Sequence, residues 1–150
     1  MKQLLLIISL FFTVSIFTAS AQLPVKQHRD SKPLLFGDFS NRIEIPEALL
    51  HQFFALHAGD TFTISLPGNL VFQGFVLAKQ TAAAGTTSMN LRVKNFKDAL
   101  LNLSITTTSD NQQLIRARII HRQYADVLVL RLENGRYYLE KLEQRLVLAE

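Results

Sequence analysis

The pair Asn134-Gly135 constrains this chain more than any other two residues. A two-residue type I′ turn needs positive φ at both central positions. Asn and Gly accept that at low cost, and the turn matches the twist of the antiparallel strands it joins. On either side stand Val127 to Leu132 and Arg136 to Leu142, two runs rich in apolar residues. A two-residue loop pairs Glu133 with Arg136. Leu132 then opposes Tyr137, Leu130 opposes Leu139 and Leu128 opposes Lys141, with Arg131 and Val129 opposite Tyr138 and Glu140 on the other face. A slip of one residue would turn the apolar set outward, so turn and register specify each other. Lys141 is the one charge on the inward side and is expected at a frayed end.

The same period of two runs back through the chain to Thr61. Phe62, Ile64 and Leu66 alternate with Thr61, Thr63 and Ser65, and Pro67-Gly68-Asn69 turns into a second strand, Leu70 to Lys79. That strand is apolar on both faces, and Gly74 inside it predicts a bulge or a close packing contact. After the small-residue loop TAAAGTT (Thr81 to Thr87), Leu91 and Val93 point inward with Arg92 and Lys94 outward. Asp98 to Asn102 has the look of a helix start, but Ile105 and the threonines after it favour a strand over Asp98 to Ser109. From Leu114 to Gln123, Ile115, Ala117 and Ile119 face one way and Arg116, Arg118 and Arg122 the other.

One helix precedes the strands. Pro46 suits the first helical position, Glu47 the positive end of the dipole, and Gly59 the stop. Leu49, Leu50, Phe53, Phe54 and Leu56 recur at steps of three and four, making one apolar stripe. The expected architecture is α+β and mostly β. One N-terminal helix packs on an antiparallel meander of about seven strands, as a curved sheet or a partly closed barrel.

Ahead of this domain lies a targeting pattern. Lys2 precedes an almost continuously apolar run, Leu4 to Phe17, and Ala19-Ser20-Ala21 follows it. This is the pattern of a secretory signal peptide over residues 1–21, cut after Ala21, and its core is too short for a membrane span. Gln22 to Pro33, polar and with two prolines, reads as a flexible lead, and residues 34–150 as a single β-rich domain. The expected location is therefore periplasmic or extracellular, with no transmembrane segment in the mature chain. The absence of cysteine excludes a disulfide framework, a thiolate metal site and a cysteine nucleophile. A small outer-membrane barrel would need an apolar lipid face on every strand, and several strands here are polar on one face.

Charge is uneven along the chain. Gln22 to Ala78 holds four basic and five acidic residues, whereas Lys79 to Glu150 holds eleven basic and seven acidic. A basic C-terminal half points to an anionic partner. Catalytic patterns are missing. His51 and His57 lie about 240° apart on a helix, so they do not converge on a metal. His28 falls in the lead and His121 in a strand. Neither Gly-x-Ser-x-Gly nor Ser-x-x-Lys occurs, and Glu133, Glu140 and Glu143 stand beside Arg136, Lys141 and Arg145 as surface partners. The chain reads as no enzyme, with no cofactor and no metal. If the central strands are neighbours, Asn102, Ser104 and Thr106 form a polar centre flanked by Arg92 and Lys94 on one side and Arg116 and Arg118 on the other. These four basic residues are the candidate partner-binding set.

The succession Gln73-Gly74-Phe75-Val76, Ala99-Leu100-Leu101-Asn102-Leu103-Ser104, Arg118-Ile119-Ile120 and Glu133-Asn134-Gly135-Arg136-Tyr137-Tyr138-Leu139 carries a resemblance. It resembles the β-rich N-terminal (pro-)domains of secreted bacterial metallopeptidases, and small exported bacterial proteins of the same pattern, over about Thr61 to Lys141. The chain departs from the metallopeptidases in ending at Glu150 with no zinc motif. The resemblance thus implies a stand-alone module and transfers no catalytic residue. The expected function is an exported, non-enzymatic binding module whose partner is a protein or an anionic envelope polymer, not nucleic acid. A prodomain-like peptidase inhibitor or folding helper and a structural cell-envelope component are the alternatives.

Overall fold

In the computed structural model, residues 32–82 and 85–143 are described. The signal-peptide expectation, most of the lead and the residues after Glu143 lie outside them. The elements run β1 (Arg42–Ile45), α1 (Glu47–Phe54), β2 (Thr61–Leu66), β3 (Leu70–Thr81) and β4 (Thr86–Val93). A 3₁₀ turn (Lys94–Phe96) follows, then β5 (Ala99–Thr107), β6 (Gln113–Ile120), β7 (Asp126–Glu133) and β8 (Arg136–Glu143). Among the described residues the fold is mostly β, an antiparallel eight-stranded sheet curled into a half-barrel, with one α-helix. Strand order is β1-β8-β7-β6-β5-β4-β3-β2, so β2 to β8 form an uninterrupted meander and β1 and β2 are the two edges.

The C-terminal hairpin has the register its turn dictates. Glu133 pairs with Arg136, Leu130 with Leu139 and Leu128 with Lys141, and Asn134 and Gly135 adopt φ of 51° and 75°. The strand reading of Asp98 to Ser109 holds over Ala99–Thr107, which is β5. Lys97 and Asp98 just before it both have positive φ, at 53° and 63°, a conformation no α-helix continues. Gly74 marks a close approach. A Cβ there would stand 1.8 Å from the Arg92 carbonyl oxygen and 3.2 Å from the Phe62 ring. The bulge falls further along β3, between Val76 and Ala78, where an extra residue is accommodated against β4.

The core joins alternate residues of every strand, with Phe62, Ile64, Phe72, Val76, Met89, Leu91, Leu101, Ile119 and Leu130 all buried. Leu50 and Phe53 of α1 are buried as well, and the Phe53 ring meets Phe62 edge-on at 5.7 Å. A second aromatic group, Phe36, Phe39 and Phe72, surrounds Phe96 at centroid distances between 5.4 and 5.5 Å.

Five expectations need correction. The sheet has eight strands, because Arg42–Ile45 adds to the far side of β8, pairing Arg42 with Glu140 and Ile45 with Tyr137. The helix stops at Phe54, so Leu56 and His57 lie beyond it. Pro46 is the residue before the helix, with ψ of 133°. His121 follows the end of β6 and is not in a strand. Lys141 does not fray. Its ammonium donates to the carbonyls of Phe36, Gly37 and Phe39 at 3.3, 3.3 and 2.9 Å. Three carbonyls satisfy an ammonium's three donors, which is why a charge is tolerated on the inward side of β8.

Two more polar side chains hold the loops onto this frame. The buried Asp126 carboxylate accepts the backbone N–H groups of Leu35 and Phe36, each at 2.7 Å. Lys79 donates to the carbonyls of Phe54 and Leu56 at 2.6 and 3.0 Å, placing a cation at the negative end of α1. Lys32 and Pro33, expected at the end of the lead, bond to Arg122 and Ala125 through the Lys32 ammonium and the Pro33 carbonyl.

Candidate functional site

Strand alternation sends Ser88, Asn90 and Arg92 of β4, Asn102 and Ser104 of β5, and Arg116 and Arg118 of β6 to the face away from the core. Register then assembles them into rows. Ser88 pairs with Ser104 and Ser104 with Arg116, while Asn90 pairs with Asn102, Asn102 with Arg118 and Arg118 with Val129. In the second row the side chains are linked. Arg118 Nε donates to Asn102 Oδ1 at 3.4 Å, and Asn102 Nδ2 donates to Asn90 Oδ1 at 2.5 Å. The Asn102 amide is thereby oriented from both sides.

These rows line an open depression of about 680 Å³ over β4 to β7, with Arg116, Arg118 and Arg131 along one flank and Ser88, Asn90, Asn102 and Ser104 along the other. Of the four candidate residues, the structure brings Arg116 and Arg118 together here. Arg92 lies in the neighbouring row between Phe75 and Leu100 and does not line the depression. Lys94 is not on the strand face. It opens the 3₁₀ turn, and its ammonium sits 5.4 Å from the Phe75 ring centroid. The expected pair of flanking basic rows is therefore one basic flank, to which Arg131 contributes in place of Arg92 and Lys94.

The arginines of this face differ in how they are neutralised. Arg131 Nε lies 3.3 Å from Glu140, and Arg42 bonds to Glu133 and stands 3.2 Å from Glu140. The Arg42 guanidinium also lies over the Tyr138 ring at 3.8 Å. The hydrogen bond to Glu133, with the nearby carboxylates, holds its pKa above the ordinary value. Arg136 faces Glu44 at 3.5 Å. Together these pairs stitch edge strand β1 to the β7–β8 hairpin. Arg116 and Arg118 have no carboxylate partner among the described residues, and the one bond seen for Arg118 goes to the neutral Asn102. Two adjacent guanidinium groups without counter-charge carry positive potential and free donors suited to carboxylate or phosphate oxygens.

No group of three or more His, Asp or Glu is placed to hold a metal ion among the described residues. His57 accompanies Asp60, which accepts its backbone N–H at 2.8 Å, and His121 Nδ1 accepts the N–H of Gln123 while its ring packs edge-on against Tyr124. No helix among the described residues is long and apolar enough to cross a membrane. Compared with known proteins, the chain matches no family model, no curated protein and no solved structure.

Proposed function

We propose that this chain is an exported, non-enzymatic binding module that takes an anionic partner on the polar face of its sheet. The observation behind this reading is the contrast within one face: Arg42, Arg131 and Arg136 are matched by Glu133, Glu140 and Glu44, whereas Arg116 and Arg118 line the depression with no carboxylate partner among the described residues. A sheet face kept charged only for solubility gains from interspersed opposite charges. Leaving two neighbouring arginines unmatched costs repulsion unless an outside group supplies the counter-charge. The rest of the domain serves as scaffold: in the α+β reading, α1 covers the apolar side of the sheet, leaving the polar side open to a partner. Export rests on the Leu4 to Phe17 run and the Ala19-Ser20-Ala21 site.

Two measurements test this. Intact mass of the protein from its native host should show Gln22 at the N-terminus, and a chain still carrying Met1 would remove the export reading. Retention on immobilised poly-L-glutamate should be strong for the wild type and lost in Arg116→Ser/Arg118→Ser; equal retention of both would remove the binding reading. The prodomain-like alternative draws on β2, an edge strand of six residues available for strand addition by a peptidase or its substrate. Inhibition assays against secreted peptidases of the same host separate it from the first.

A further inference from the structure

We propose that the seam between β6 and β7 is a docking slot for an extended acidic peptide of a partner protein, with carboxylates at alternate positions and apolar residues between them. This rests on the preceding reading of the polar face and narrows it to one partner chemistry.

The seam is the weak line of the sheet. β5 and β6 keep register over eight pairs, as do β7 and β8, whereas β6 and β7 share only Arg118↔Val129 and Ile119↔Leu128. Beyond that point Ile115 donates its N–H to the Tyr137 hydroxyl at 3.0 Å, a side chain of β8 taking the place of a β7 carbonyl. The depression opens over this stretch. At its mouth Leu132 is 44% exposed, although its position in β7 belongs to the inward set. A strand entering here would meet backbone that is no longer in ladder register, along with apolar surface that is not fully covered.

Charge spacing selects the occupant. Arg116 and Arg118 are alternate residues of one strand, about 7 Å apart, which is also the repeat of same-face side chains in an extended peptide. Carboxylates at positions i and i+2 therefore meet the two guanidinium groups in step. The residue between them points through the sheet toward the side of Leu130 and Leu132, where an apolar side chain fits. An anionic polysaccharide would satisfy the arginines but has no alternating N–H and C=O groups to offer the seam.

The test uses the protein purified from its native host and two capped peptides of equal composition, Val-Glu-Val-Glu-Val and Glu-Glu-Val-Val-Val, with polygalacturonate as a non-peptide polyanion. The alternating peptide should bind at least about tenfold more tightly than the rearranged one, because only it pairs both arginines at once. It should also slow amide exchange at Ala117, Leu130 and Leu132, and Arg116→Ser/Arg118→Ser should lose that advantage with an unchanged melting curve. Equal binding of the two peptides, or binding without protection of those amides, would overturn the slot. In that case retained polygalacturonate binding would leave the anion-binding face standing, whereas no binding to any polyanion would remove both.

Discussion

The Tyr137 hydroxyl accepts the backbone N–H of Ile115 at 3.0 Å, so β8 reaches past β7 to satisfy β6. The two residues are 22 positions apart, and Tyr137 is buried in the core. This bond stands where the β6–β7 ladder has stopped, so it does part of the ladder's work with a side chain.

Tyr137→Phe keeps the ring and removes that acceptor. A buried N–H left without a partner costs about 1 to 3 kcal/mol, so the variant should melt several degrees lower. Exchange at the Ile115 amide should accelerate more than at Leu101, which lies in a fully paired strand. Equal acceleration at both sites would mean the bond has no local role.

Asp126→Ala should act at a distance from its own strand. Its carboxylate receives two N–H groups from Leu35 and Phe36, and the alanine leaves both without acceptors. The expected loss is about 2 to 4 kcal/mol, with early exchange or proteolysis around residues 34–37. Asp126→Asn retains one oxygen acceptor and should lose less. A melting point unchanged in Asp126→Ala would show that the N-terminal turn is not held this way.

Gly74→Ala adds one methyl group where there is no space for it. The new Cβ would stand 1.8 Å from the Arg92 carbonyl, which is backbone and has no rotamer to change, so β3 and β4 must separate. Destabilisation of at least about 2 kcal/mol is expected, measured by urea unfolding against wild type. Gly135→Ala provides a comparison, since nothing lies near its Cβ and the cost there comes only from a φ of 75°.

Local signals in the sequence identify most of this sheet. Asn134-Gly135 and the alternation around it determine the β7–β8 register, because turn type and pleat both act over a few residues. The same alternation orients Arg116 and Arg118 outward and places Arg131 opposite Tyr138. What it does not reveal is the relation of β6 to β7, where a loop of several residues and only two ladder pairs leave the register to tertiary packing. The alternation therefore does not join Arg131 to Arg116 and Arg118. Strand β1 escaped for a similar reason. Four residues carry too little pattern, and their partners in β8 are more than ninety positions away. Lys141 reads as an inward charge at a frayed end, and Asp126 carries no local signal, because the partners of both lie in the distant N-terminal turn. Lys94 leaves the strand face because the chain turns at Val93.

Binding of poly-L-glutamate as a function of salt tests the two arginines, Arg116 and Arg118, that line the depression without a carboxylate partner among the described residues. Between about 0.05 and about 0.5 M sodium chloride, screening shortens from beyond the size of the Arg116–Arg118 pair to less than its spacing. Wild-type affinity should fall steeply across that range, while Arg116→Ser/Arg118→Ser should bind weakly at low salt and change little, with the same melting curve. Wild type and double variant showing the same affinity and the same salt slope would contradict an anionic partner at this face.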